Sequence, residues 1–182
     1  MVLTIMCTNM TVVLGGASSG KSDFSEKICV HSGLGRVYLA SAQIYDEEMR
    51  TKAERHRTNR GTDWCTIEEP YAASRVISET LEGQILLFDC ATLWLTNHLL
   101  ADHDLERETE NLIAAIRHSP AQIVVVSNEV GLGIVPENAL ARRFRIAQGA
   151  LNRRLTEEAA TVVGVMAGLP FVLKGSLPEG LI

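Results

Sequence analysis

Gly15-Gly16-Ala17-Ser18-Ser19-Gly20-Lys21-Ser22 is the stretch on which the reading of this chain turns. It sets glycines, a lysine and a hydroxyl at the spacing of a P-loop, the backbone cradle of a nucleoside triphosphate. Gly15 and Gly20 leave room for the main chain to close on an anion, so that successive N–H groups point inward at phosphate oxygens. Lys21 then reaches the β and γ phosphates, and Ser22 holds Mg²⁺. A plain glycine-rich turn is the alternative, and the flanks decide between the two. Thr11-Val12-Val13-Leu14 has the composition of a strand, and Lys21 to His31 reads as a helix whose positive N-terminal end faces the phosphates.

Around this loop the chain alternates strand and helix. Arg36 to Ala40 predicts a second parallel strand, with Ser41, Ala42 and Gln43 at its C-terminal end, where ligands bind in open α/β sheets. A plain loop is the other reading of those three residues. Asp46 caps a predicted helix to about Asn59, stopped by Gly61. Its apolar stripe, Met49, Ala53 and His56, is thin and ends in an imidazole flanked by Arg55, Arg57 and Arg60. Such a setting draws an anion to the ring and favours its neutral, nucleophilic form, although a structural role stands beside that one.

Trp64 to Glu68 predicts a short strand closed by a solvated Glu68-Glu69 pair and Pro70, followed by a helix from Ala72 to Leu81. Ile85-Leu86-Leu87-Phe88-Asp89 is an apolar run ending in an acid, the form of a strand whose carboxylate helps to hold Mg²⁺ in P-loop enzymes. A surface aspartate is the alternative. Leu105, Thr109, Leu112, Ile113 and Ile116 keep helical spacing, and Ile123 to Val126 is a buried strand. A long loop from Ser127 to Pro136 follows, then a helix from Glu137 to Ala160. That helix carries Leu140, Phe144, Ala147, Leu151, Leu155 and Ala159 on one face, with Arg142, Arg145, Arg153 and Arg154 in solvent. Val162 to Ala167 and Phe171 to Leu173 complete the set as a hairpin across Gly168-Leu169-Pro170. The fold class is α/β, a mostly parallel sheet flanked by helices, with a P-loop and an antiparallel edge strand.

The 182 residues, 46% of them hydrophobic, suit one domain spanning 1–182, with 1–10 as an extension and Met10 as a possible natural start. A net charge of −5 disfavours nucleic acid as partner. Cys7, Cys29, Cys65 and Cys90 have neither disulfide nor zinc spacing and read as reduced, mostly packed thiols. No run approaches the ~18 apolar residues of a membrane span, so a cytoplasmic location is expected.

Several blocks together resemble one family. They are the P-loop itself, Ala40 to Met49, Arg55-His56-Arg57, Thr92-Leu93-Trp94-Leu95-Thr96-Asn97, and Ser127 to Asn138, which includes the specific sequence Asn128-Glu129-Val130-Gly131-Leu132-Gly133-Ile134-Val135-Pro136. The chain is similar in these to the bifunctional adenosylcobinamide kinase / adenosylcobinamide-phosphate guanylyltransferases of cobalamin biosynthesis. It departs at Ser18, where many members carry arginine.

The resemblance implies two reactions. ATP or GTP phosphorylates the aminopropanol hydroxyl of adenosylcobinamide. A histidine then attacks the α phosphate of GTP and carries GMP to the product, giving adenosylcobinamide-GDP. His56 falls at that family histidine, and Ser41, Ala42, Gln43, Arg57, Thr58, Asn59, Arg60, Glu68 and Asp89 fall at nucleotide-contacting positions. A homotrimer is implied, with Mg²⁺ as cofactor. A P-loop GTPase switch and a nonenzymatic nucleotide-binding regulator are the rival readings. The first is weakly supported, since Ser127-Asn128-Glu129-Val130 is a poor match to the guanine-reading tetrapeptide of such switches.

Overall fold

The computed structural model describes residues 8–43 and 61–181. Seven strands form one sheet: β1 (Thr8–Gly15), β2 (Gly35–Ala40), β3 (Trp64–Glu68), β4 (Gln84–Asp89), β5 (Gln122–Asn128), β6 (Ala159–Met166) and β7 (Leu169–Lys174). Their spatial order is β3-β2-β4-β5-β1-β6-β7. All pairings are parallel except β6 with β7. The six parallel strands therefore end on one edge of the sheet, the edge on which ligands bind in open α/β folds.

The helices are α1 (Lys21–His31), α2 (Ala73–Glu79), α3 (Ala91–Leu100), α4 (Leu105–His118) and α5 (Ala139–Glu158). The strands alternate strictly between two cores, as a sheet covered on both faces requires. Val12, Leu86, Phe88, Ile123 and Val125 face one core, closed by Trp94 and Leu95 of α3, Leu112, Ile113 and Ile116 of α4, and Leu151 and Leu155 of α5. Val13, Ile85, Leu87, Val124 and Val126 face the other, where Phe24, Ile28 and Cys29 of α1 pack. Burial pushes the Cys29 thiol up to about 12, so it is an inert packed group.

The structure departs from the sequence reading at several places. The strand β1 starts at Thr8 rather than Thr11, and Met10 is fully buried in register with Ile123. Helix α3 was not apparent from periodicity. Seven of its ten residues are buried, so it lacks the polar face that a 3.6-residue period needs. The hairpin turns on Ala167 and Gly168, both with positive φ, and Leu169 and Pro170 already belong to β7. A two-residue turn of that handedness matches the twist of paired strands, and Pro170 is tolerated because β7 is an edge. Cys65 is exposed rather than packed. Among the described residues no helix is long and apolar enough to cross a membrane.

Candidate active site

The P-loop leaves β1 between β5 and β6 on the parallel edge. Gly15 has no space for a side chain: a Cβ there would fall on the Val165 carbonyl oxygen and the Ser19 hydroxyl. Ser18 and Gly20 take left-handed backbone, with φ of 54° and 94°, and this reversal folds the loop back before α1 begins at Lys21. Lys21 is only 6% exposed, and its Nζ donates to the Gly16 carbonyl at 2.5 Å. The ammonium is thus drawn across the mouth of the loop instead of extending into solvent. The Ser19 hydroxyl is buried with no hydrogen-bond partner, an unmet polar group inside the cradle.

Asp89 ends β4, two strands from β1 with β5 between. The phenolic hydroxyl of Tyr38 donates to its Oδ2 at 3.0 Å. Tyr38 is itself buried and packs edge-on against Trp64, so the carboxylate is oriented from the adjoining strand. Burial, with the neighbouring Asp89 charge next, pushes the thiol of Cys90, which follows Asp89, up to about 12. Lysine and carboxylate stand on the same edge of the sheet, two strands apart.

Ser41 is held from every side. Its hydroxyl donates to the Cys90 carbonyl at 2.7 Å and accepts from the Cys90 N–H at 3.1 Å, and its own carbonyl accepts from Asn97 Nδ2 at 2.8 Å. Asn97 also donates to the Pro70 carbonyl at 2.9 Å. Beside it Trp94 Nε1 and His98 Nε2 both meet the Tyr71 carbonyl. Since that carbonyl only accepts, Nε2 carries the His98 proton and Nδ1 accepts from His103 Nδ1 at 2.9 Å. Burial holds His98 below its ordinary 6.5, in keeping with a neutral ring.

Ser41, Ala42 and Gln43 lie at the end of β2, on the same edge as the P-loop. Glu68 ends β3 and its side chain is exposed. Four strand spacings separate β3 from β1, roughly 19 Å at ~4.8 Å each, so Glu68 is not brought to the P-loop cradle. Its neighbour Glu69 is not solvated: it accepts from the backbone N–H groups of Tyr71 and Ala72 and pairs with Arg75 at 2.9 Å, fixing the entry to α2. His56, Arg57, Thr58, Asn59 and Arg60, with the predicted helix Asp46 to Asn59, lie outside the described residues, as does Cys7.

The floor of the site is a buried polar network that periodicity concealed. Ser127 donates to Asn152 Oδ1 at 2.7 Å, and Gln148 Nε2 donates to both Ser127 Oγ and Asn152 Oδ1 at 2.9 Å. Asn152 Nδ2 then donates to the Asn128 carbonyl at 3.0 Å, while the Asn128 N–H is taken by Thr92 Oγ1 at 2.7 Å. Gln148 and Asn152, at i and i+4 on the face of α5 that also buries Leu151 and Leu155, were the legible signal. Leu140, read as part of that face, is exposed. Three of the four arginines are engaged: Arg145 donates to the Gly131 carbonyl, Arg142 to those of Pro136 and Glu137, and Arg154 pairs with Glu110 at 2.6 Å.

A family model described as cobinamide kinase / cobinamide phosphate guanyltransferase matches residues 11–173. The bifunctional adenosylcobalamin biosynthesis protein CobP of Pseudomonas aeruginosa is 44% identical over 167 residues, covering 90% of this chain and 96% of that one. The bifunctional adenosylcobalamin biosynthesis protein CobU of Escherichia coli K12 is 36% identical over 181 residues, covering 91% and 99%. Among solved structures, the RadB recombinase aligns with a TM-score of 0.51 at 15% identity over 96% of this chain and 85% of its own. An ATPase of a type III secretion system aligns at 0.52 and 12% identity, covering 86% and 51%. These two likenesses concern the fold alone.

Proposed function

This chain belongs to the cobinamide kinase / cobinamide phosphate guanyltransferase family and is an enzyme of adenosylcobalamin biosynthesis with both activities, and on that premise we propose that both run from the P-loop site, with His56 carrying GMP. Membership decides against the GTPase switch and the nonenzymatic regulator. The observation that carries the single-site reading is the convergence of buried Lys21, the Gly15–Ser22 cradle and Tyr38-oriented Asp89 on one sheet edge.

In the kinase step the cradle N–H groups and Lys21 hold the β and γ phosphates of ATP or GTP. The aminopropanol hydroxyl of adenosylcobinamide attacks the γ phosphorus, its bond to the bridging oxygen breaks, and the nucleoside diphosphate leaves. In the second step the neutral imidazole of His56 attacks the α phosphorus of GTP and pyrophosphate departs. The phosphate of adenosylcobinamide phosphate next displaces the imidazole, giving adenosylcobinamide-GDP and a free ring. Ser41, Ala42 and Gln43, Arg57 to Arg60 and Glu68 serve the nucleotide beyond its phosphates, a role for which the distance of Glu68 from the cradle leaves room.

Mg²⁺ fits the donor set: Ser22 and Asp89 are hard oxygen donors beside an anion cradle. When bound, it neutralises charge on the β and γ phosphates. We assign the enzyme to the cytoplasm, where its triphosphate substrates are made, and to a homotrimer.

GTP labelled at the α phosphate tests the scheme. The wild-type chain should retain acid-labile label after denaturation, and His56→Ala should lose it together with adenosylcobinamide-GDP while still phosphorylating adenosylcobinamide. Covalent label on His56→Ala would transfer the role to another residue.

A further inference from the structure

The P-loop is fastened from outside by the β6–β7 turn. The Gly168 N–H donates to the Ser19 carbonyl at 2.9 Å, and a Cβ on Gly20 would stand 3.2 Å from the Gly168 Cα. The same hairpin reaches Gly15, whose missing side chain leaves room for the Val165 carbonyl. Ser19 and Gly20 thus rest on a turn that lies some 150 residues later in the chain, and Gly15 rests on the strand that leads into it.

The consequence follows from peptide geometry. A trans peptide is planar, with its C=O and N–H pointing in opposite directions. Fixing the Ser19 carbonyl toward Gly168 therefore fixes the Gly20 N–H in the opposite direction, away from the β6–β7 turn. Gly20 cannot set this orientation alone, because glycine at φ 94° is free to rotate to many other conformations. The turn that supplies the latch is itself specialised: Ala167 at φ 51° and Gly168 at φ 80° must both be left-handed to present the Gly168 N–H.

We propose that Gly168 is a positioning residue for nucleotide binding: its N–H holds the Ser19 peptide so that the Gly20 N–H is already aimed at the bound phosphates. This rests on the reading of Gly15–Ser22 as the phosphate site. Without the latch, the Ser19–Gly20 peptide must be ordered when nucleotide arrives, and that ordering is subtracted from affinity. The turn acts on binding rather than on chemistry, so the effect falls on Kd and KM and leaves kcat at saturation nearly unchanged.

The experiment measures GTP and ATP affinity of the full chain by calorimetry, with thermal melts in parallel. Gly168→Ala, which strains the left-handed turn, should weaken both nucleotides about tenfold, the size of one hydrogen bond to a charged group. Gly168→Asn, which tolerates that conformation and keeps the N–H, should stay within about threefold of wild type. Lys174→Ala removes the contacts of that side chain with the Thr156 and Thr156-adjacent Glu157 carbonyls at the far end of β7, and should lower Tm without moving affinity.

Wild-type affinity in Gly168→Ala overturns the proposal, and so does an affinity loss in Lys174→Ala that scales with its Tm. Should Gly168→Ala fail to fold, hydrogen exchange on the wild type decides. Saturating GTP should slow the Gly168 amide about tenfold more than the other amides of β7, because coupling between latch and ligand is reciprocal; equal protection along β7 overturns the proposal. If the wild-type chain binds neither nucleotide, the phosphate-site reading fails, an outcome distinct from failure of the latch.

Discussion

Two loops leave adjacent strands on the same sheet edge, and they are held in opposite ways. The P-loop after β1 is a backbone object: three glycines, a left-handed Ser18, and a carbonyl latched by another backbone N–H. The loop after β5 is held by side chains. Glu129 accepts from the Gly131 N–H, Arg145 grips the Gly131 carbonyl, Arg142 the Pro136 carbonyl, and Asn138 caps α5. Between these anchors Leu132 and Ile134 stand 88% and 96% exposed. The two loops touch where the Glu129 N–H donates to the Gly15 carbonyl at 3.0 Å. A loop whose conformation is written in its own glycines can be read along the chain, whereas for a loop tied down by the helix that follows it the sequence shows the loop but not its anchors.

Substitutions should separate the two. Lys21→Ala removes the cation from the backbone loop and should cost roughly a hundred- to a thousandfold in kinase turnover, with Tm within about 3 °C of wild type. Turnover near wild type would remove the P-loop from the chemistry. Asn152→Ala strikes the floor of the other loop. It removes one hydrogen bond each from Ser127, Gln148 and the Asn128 carbonyl, at a cost of about 2–3 kcal/mol, or roughly 5–10 °C in Tm. A melt unchanged by that substitution would show that the network is not what anchors the end of β5.

The loop after β3 is a smaller case of side-chain anchoring and adds a pH test. The Ala72 N–H, ahead of the other donors, holds the Glu69 carboxyl below its ordinary 4.5. A carboxyl whose folded value is lowered contributes in full above its unfolded value, and the contribution fades as pH falls through the folded one. Glu69→Gln should therefore cost about 1 kcal/mol at pH 7, and the difference from wild type should close below the carboxylate range. Denaturant titrations at the two pH values measure it, and a gap that persists in acid would point to packing. Arg145→Met should have the least effect on stability, under about 1 kcal/mol. Proteolysis should nevertheless cut the 129–136 loop faster in that variant, and an unchanged cleavage rate would show that the Arg145 grip on Gly131 is dispensable.

The division between what was legible and what was not follows from where each constraint is stored. Gly15 to Ser22, the apolar run Ile85 to Phe88 that ends in Asp89 and the apolar run Ile123 to Val126 encode their own backbone, so strands, P-loop and the acid at the end of β4 were readable in place. Helix α3 escaped because it is buried nearly all round and presents no amphipathic period. The Tyr38 hydroxyl on Asp89, Asn97 on Ser41, and the pair Gln148 and Asn152 under β5 join residues from 20 to more than 50 positions apart. Apart from the i, i+4 placement of Gln148 and Asn152, no local pattern marks them.

By itself, then, the sequence determined the α/β class, the phosphate cradle and its family, because glycine spacing and hydrophobic period act over a few residues. Tertiary structure alone decided that the strand ending in Asp89 lies two places from β1 and the strand ending in Glu68 four, since that depends on strand order. It also decided that a hairpin turn near residue 168 rests on the P-loop, because a hydrogen bond between two backbone groups leaves no trace in side-chain identity.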